Sequence, residues 1–391
     1  MAVNGIERVD RLDLNGRRVF LRVDFDAPMS PHGAILDDAR LREALPTLRL
    51  LLERRCKVTV ASHFGTPDAP RSEREIDSVV QRLDELLGIE TKRCERNFRA
   101  AVRRLGENEV ALFPNLAALP GETENDAALA LELAKSFDVY VNDALSISDR
   151  PFTSLDALPR RMATRGAGLA LYRELEMLER LTAGPPEPFT VVAGGAALGH
   201  KKRLIRHLLR EATTLILGGV PANTVLAALG HHFGPAMIDE GALPFAQELV
   251  DLSKSTPFTL VLPDDLLVEG PGREGLAAVA PGNVRPTDRV VDLGPTTFLK
   301  FREHLAQSRS VFWTGPMGTC DRDETRVGTF RLGTLAVESS LLTVVAGADT
   351  VKMVRYLALD GYYQHVSTGD DAALRLLSGA ELPGVESLRY P

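Results

Sequence analysis

LALYRELEMLERLTAGPPEP, residues 169–188, is the stretch on which the reading of the fold turns. Its first part, Leu169–Leu181, carries apolar side chains at helical spacing with charges between them, the pattern of a long amphipathic helix. Gly184-Pro185-Pro186-Glu187-Pro188 then stops it, because proline lacks an amide hydrogen and crowds the preceding turn. Working outward, short β-rich runs alternate with helical patterns on both sides. Before the helix, Arg18–Val23, Lys57–Ala61, Glu109–Phe113 and Val139–Val141 read as strands, and Leu41–Leu52 as a helix. After it, Thr190–Ala193, Thr214–Leu217, Phe258–Leu262, Ser310–Trp313 and Leu342–Val345 read as strands. This rhythm predicts an α/β protein of two doubly wound, Rossmann-like parallel-sheet domains, joined through the helix and its hinge. The expected divisions are an N-terminal domain over 1–167, the helix and hinge over 168–186, and a second domain from 187.

Bulk properties agree with two domains. The chain has 391 residues, against roughly 100–200 per domain. Hydrophobic residues make up 44% and charged residues 25%, so a large core is available. The net charge of −7 gives no global pull toward nucleic acid or a membrane surface, so any anion site must be built locally. Cys56, Cys94 and Cys320 are too few, and odd in number, for a disulfide framework, and none has a CxxC partner. Reduced thiols are expected. Met1–Gly5 has neither a basic nor an apolar leader character, and no run reaches the roughly 18 apolar residues of a membrane helix. A cytoplasmic setting is expected.

Small residues follow each second-half strand: Gly194-Gly195-Ala196-Ala197, Gly218-Gly219, Gly315-Pro316-Met317-Gly318, Ala346-Gly347-Ala348-Asp349-Thr350 and Ser367-Thr368-Gly369. Glycine lets a backbone approach a phosphate, and a following helix offers free amides. One such loop is an ordinary strand-to-helix turn. Four or five in one domain point to a nucleotide. None fits GxxxxGK[ST], or GxGxxG with a ribose-binding acid, so P-loop and dinucleotide readings fall away. Asp349 stands where a strand feeds a helix. It can cap that helix or hold Mg²⁺ on nucleotide phosphates, and the neighbouring loops favour the metal. In the first half, Arg22-Val23-Asp24-Phe25-Asp26, Ser62–Pro67 and Asn142-Asp143-Ala144 follow strands, with Arg40 at a helix start and Arg150 beyond the last of these loops. Arg22, Arg40 and His63 at similar loops predict an anion site.

Taken together, these motifs resemble the phosphoglycerate kinase family. DDARLREALPTLRLLLE (37–53) and SHFGTP (62–67) are similar to its DDTRI-ALPTI and SHLGRP stretches. VYVNDALSISDR (139–150) resembles YVNDAFGTAHR, and GGAALGHK (194–201) resembles GGAKVSDK. FWTGPMGTCD (312–321) resembles WNGPMGVFE, AGADT (346–350) resembles GGGDS, and HVSTGDD (365–371) resembles HISTGGG. The likeness runs in order along nearly the whole chain. It implies the fold of that family, with a carboxylate substrate on the first domain and Mg-ATP or ADP on the second, which would run to 370. It further implies that 371–391 packs back on the first domain, and that the protein is a monomer with no nucleic-acid or membrane partner. By motif, Arg40 and Gly347 would be catalytic. Arg22, Asp24, Asp26, His63, Thr66, Asp149 and Arg150 would shape the carboxylate site. Gly194, Gly195, Lys201, Gly219, Gly315, Pro316, Asp321 and Thr350 would meet the nucleotide, and Asp349 the magnesium.

The departures from the family pattern cluster in that site. The family lysine of GGAKVSDK is Ala197 and its aspartate is His200. The arginine of SHLGRP is Thr66, a second family arginine falls at Ala117, the histidine of AHR is Asp149, and the asparagine of RVDFN is Asp26. Asp370 and Asp371 stand where the family has glycines. Four of these changes make the substrate pocket less positive. The leading expectation is therefore a phosphotransferase that makes or uses an acyl phosphate on a carboxylate other than 3-phosphoglycerate, an amino acid among the candidates, in a specialised pathway. The alternatives are ordinary phosphoglycerate kinase, with Lys202 or His200 replacing the lost lysine, and a nucleotide-binding protein without turnover. Base preference, ATP against GTP, stays open.

Overall fold

The computed structural model describes residues 5–94, 98–339 and 342–390. The chain forms two compact units, Met1–Glu176 with Glu381–Pro391, and Met177–Ala380. The boundary at Glu176/Met177 falls inside the helix Leu169–Thr182. No helix among the described residues is long and apolar enough to cross a membrane.

In the first unit, β1 (Arg18–Arg22), β2 (Lys57–Ala61), β3 (Thr91–Arg93), β4 (Val110–Leu112), β5 (Val139–Asn142) and β6 (Thr164–Ala167) form one sheet in the order β3-β4-β2-β1-β5-β6. Every pairing is parallel. A parallel sheet needs both faces covered, and its strands are accordingly apolar runs. Val19, Leu21, Val58, Val60, Val139 and Val141 pack with Leu41, Leu45 and Leu48 of the helix Ala39–Glu53 in one core. The helix Glu73–Leu87 starts at Ser72, whose hydroxyl accepts the Glu75 amide while Glu75 accepts the Ser72 amide, and it ends at Gly88 with φ +72°. Residues 381–390 lie in this unit. Asn142 Nδ2 donates to the Gly384 carbonyl at 3.0 Å, Ser387 Oγ to Leu155 O at 2.7 Å, and Arg165 sits over the Tyr390 ring.

In the second unit, β7 (Phe189–Ala193), β8 (Thr214–Leu217), β9 (Thr259–Val261), β13 (Ser310–Thr314), β14 (Leu342–Val345) and β15 (His365–Val366) form a parallel sheet in the order β15-β14-β13-β7-β8-β9. Trp313, Val192, Ile216, Val311 and Val345 fill its core with Phe301 and Leu305. Three further strands, β10 (Leu266–Glu269), β11 (Ala277–Val279) and β12 (Arg289–Leu293), make a separate antiparallel sheet in the order β11-β10-β12. The sequence reading did not anticipate it. Its strands are short and lie among Gly/Pro-rich loops, so no periodicity builds up to be read. In both large sheets the central strand, β1 or β7, is flanked by strands reached in opposite directions. That switch point is where open α/β sheets bind ligands, at the carboxyl ends of the strands.

Candidate functional site

In the second unit, the loops after β7, β8, β13 and β14 all leave the carboxyl edge of one sheet. They approach so closely that side chains are excluded. A Cβ on Gly194 would lie 2.3 Å from the Pro316 carbonyl oxygen, and one on Gly315 would lie 2.2 Å from the Gly194 oxygen. The Gly195 amide donates to Pro316 O at 2.7 Å and the Gly219 amide to Met317 O at 3.1 Å, which stitches the loops together. Gly347, at φ +94°, turns the chain from β14 into the helix Ala348–Tyr356. Around these loops lies a cavity of about 660 Å³. Gly195, Gly219, Pro316 and Asp349 line it, with an apolar wall of Met237, Val290, Val291 and Met317, and with Lys352 and Tyr356. Its volume suits a nucleotide-sized molecule, since small-molecule sites span about 300–1,000 Å³.

Asp349 is exposed at the first turn of its helix, where amides have no intrahelical acceptor and favour negative charge. Among the described residues no group of three or more His, Cys, Asp or Glu is arranged to hold a metal. The Asp349 carboxylate at the cavity fits magnesium on a nucleotide, which takes one or two carboxylates and finds its other ligands in phosphates and water. The charge of this carboxylate is felt at Lys201. Burial lowers its pKa and the charge of Asp349 opposes that shift, while its Nζ lies 3.5 Å from the Ala197 carbonyl.

Three expectations meet a different arrangement. Thr350 is buried and its hydroxyl accepts the Gly315 amide at 2.5 Å, so it ties the β13 loop to the helix bearing Asp349. Asp321 does not line the cavity. It binds Arg289 Nη2 at 2.8 Å and accepts the hydroxyls of Thr319 and Thr325, which hold its carboxyl well below the usual range. Lys202 and His200 line a different cleft from the cavity that Asp349 lines. The reading also missed Met237, Val290, Val291, Lys352 and Tyr356. Only Lys352, one helical turn from Asp349, carried a signal that local spacing could have used.

In the first unit, the loop after β1 and the helix Ala39–Glu53 bring Asp24 and Arg40 together. Arg40 Nη1 lies 2.7 Å from Asp24 Oδ2, which also accepts the Ser146 hydroxyl at 2.5 Å. Asp26 is held by Arg71 Nε at 3.0 Å, and Arg71 is itself held by Glu75 of the capping box at 3.0 Å. The three expected cations share one neighbourhood, since the charge of Asp24, the partner of Arg40, acts on both Arg22 and His63, but each has a different setting. Arg22 is fully buried, donating to Ser154 Oγ at 3.0 Å and to the Val23 carbonyl. Its Nη2 is buried with no hydrogen-bond partner. His63 is buried against Glu122 at 3.0 Å, and burial followed by the charge of Arg22 pushes its pKa down, against the pull of Glu122. Ser154 links the two by donating to Glu122 Oε1 at 2.5 Å. Arg150 is the most open of these cations, with 58% of its side chain exposed and Asp149 3.9 Å away. Thr66 Oγ1 accepts the Ala69 amide, and Ala117 is buried. Arg71, Glu122, Ser146 and Ser154 escaped the sequence reading.

Comparison with known proteins extends over the same span. The sequence model described as phosphoglycerate kinase matches residues 9–380. A phosphoglycerate kinase of Anaeromyxobacter sp. strain K is 34% identical, over 98% of this chain and 99% of that protein. One from Rubrobacter xylanophilus is 37% identical over 96% of each. The solved phosphoglycerate kinase of Coxiella burnetii superposes with a TM-score of 0.89 at 28% identity, over 98% of both chains. That of Pyrococcus horikoshii gives 0.83 at 27% identity, over 97% of this chain and 98% of that one. The chain therefore belongs to the phosphoglycerate kinase family.

Proposed function

We propose that this protein moves a phosphoryl group between Mg-ATP and a carboxylate, making or consuming an acyl phosphate, with 3-phosphoglycerate as the carboxylate. The names of its relatives, matched over nearly their whole length, support that substrate. The observation that carries the nucleotide half is the cavity where four glycine-rich loops meet Asp349. Phosphoryl transfer calls mainly for positioning and charge neutralisation, and little covalent work by the protein. Magnesium, when bound, would neutralise charge on the phosphates, with Asp349 as its protein ligand. The first-turn amides that Gly347 leads into would receive phosphate oxygens, and the Lys201 ammonium would add a positive charge. A carboxylate oxygen of the substrate would attack the terminal phosphorus as the bond to ADP breaks. Arg40 would exchange its Asp24 partner for the transferring group. Thr350 and Asp321 would act by fixing the loops that bear these groups. A cytoplasmic, monomeric setting belongs to the same proposal.

One observation favours a second reading, in which the carboxylate is less anionic than 3-phosphoglycerate. A phosphomonoester brings a charge near −2, and its site calls for cations. Here Thr66 and Ala117 stand at two family arginine positions, and Asp26 already occupies Arg71. Asp149 replaces a histidine beside Arg150. ATP-dependent hydroxamate formation across a panel of carboxylates, run beside a coupled assay with 3-phosphoglycerate, separates the readings. Highest kcat/KM with 3-phosphoglycerate supports the first. Faster turnover of an unphosphorylated carboxylate, such as an amino acid, overturns it in favour of the second. Mg-ADP binding without turnover on any carboxylate overturns both.

A further inference from the structure

The second unit has another concave site, about 630 Å³ in volume, that shares no lining residue with the nucleotide-sized cavity. One face of the helix Lys202–Leu208 and its flanks form it against the turn at Ser378-Gly379. Its side chains are His200, Lys202, Arg203, Arg206, His207 and Arg210, and no carboxylate or large apolar side chain lines it. Like charges three and four residues apart on a helix repel, so this grouping is unfavourable unless something offsets it.

Nearby carboxylates offset only part. Glu248 accepts from Arg206 Nε and Nη2 with its two carboxylate oxygens. Asp239 is occupied by the amides of Leu198 and Gly199, and the charge of Glu211 acts on His207. Burial, and then the charges of Arg210 and Arg203, push the His207 pKa down, so the positive field is felt inside the cleft. The far wall is built to close approach. Arg203 Nε donates to the Ser378 carbonyl at 3.3 Å, and a Cβ on Gly379, at φ +74°, would lie 2.8 Å from the His207 ring.

We propose that this cleft binds a small polyanion carrying several phosphate groups. Guanidinium forks match phosphate oxygens two at a time, and Arg203 and Arg210 line the cleft beyond the Arg206–Glu248 pair. The volume is that of a small-molecule site, and the lack of an apolar wall leaves charge as the source of affinity. In a protein of net charge −7, a local positive field exists only where basic residues are gathered in this way. The compact shape, a cleft and not an extended stripe, favours a small ligand over a nucleic-acid strand.

Calorimetric titration of the full chain with sodium tripolyphosphate, with Mg-ADP in excess to fill the other cavity, tests the assignment. Saturable binding is expected, about tenfold or more tighter than for orthophosphate and weakening as salt is added. The Arg203→Ser/Arg210→Ser double variant is expected to bind about tenfold or more weaker. Because Arg203 also anchors Ser378, Arg210→Glu alone serves as a second variant and is expected to weaken binding similarly, with an unchanged melting temperature. Absence of saturable binding, or variants that bind like the wild type, would overturn the proposal. So would capture of a single-stranded oligonucleotide without tripolyphosphate.

Discussion

The two units build their sites from different materials. The second unit uses backbone: glycines that let four loops touch, and one carboxylate at a helix start. The first uses charged side chains, nearly all engaged with one another. Arg40 is on Asp24, Arg71 on Asp26, His63 on Glu122, and Arg22 is sealed in the interior. The contrast separates a scaffold ready to receive a ligand from one in which binding must exchange existing ion pairs. Charges already paired are partly compensated, so exchange adds less affinity than fresh pairing would.

The comparison can be broken most directly at Asp349. Asp349→Ala is expected to lower Mg-dependent phosphoryl transfer on the order of 10³-fold while melting changes little, because the residue is exposed. Retained turnover would mean that the backbone loops alone hold the metal-nucleotide. In the first unit the largest effect is on stability. Glu122→Ala leaves the buried Arg22 without its opposing charge and should cost about 3–5 kcal/mol in urea denaturation. A loss much below that would show the interior network to be loosely coupled.

A smaller, pH-dependent effect sharpens the contrast, because among the carboxylates that the second unit buries one is shifted upward. Asp292 is pushed up to about 7 by burial, despite accepting the Gly328 and Leu293 amides. Its folded value stands above the unfolded one of about 3.9, so folding favours the protonated acid. The stabilisation from this group is full below about pH 4 and is lost as pH rises through about 7, on the order of a few kcal/mol. Urea midpoints measured at about pH 5 and about pH 8 should show this loss, and Asp292→Asn should flatten it. The smallest effect is expected at Thr66. Thr66→Arg restores a cation at an exposed loop and should lower the KM for 3-phosphoglycerate by about tenfold. An unchanged KM would favour the less anionic substrate.

How far each region could be read from sequence follows the same division. The glycine loops are legible because a backbone requirement is met by a residue type at one place in the chain. Gly195, Gly219 and Asp349 were visible as strand ends and lie around the cavity. Arg22 was equally visible as a strand-end residue, but its fate depends on Ser154, 132 positions away, and on Glu122. Nothing near Arg22 announces a partner so distant. The setting of Asp321 was hidden for a related reason. Its motif position suggested a ligand, while Arg289, 32 positions earlier, draws its carboxylate into a surface network.

The segment after Glu381 has a consequence for synthesis. Gly384, Ser387 and Tyr390 complete hydrogen bonds of Asn142, Leu155 and Arg165, yet the entire second unit intervenes between them in chain order. As the chain leaves the ribosome, the second unit is free to mature as an uninterrupted stretch. The first must wait with these polar groups open until residues 384–390 have been made, so a released chain truncated before residue 381 would hold an unfinished first half beside a second half whose residues are all present.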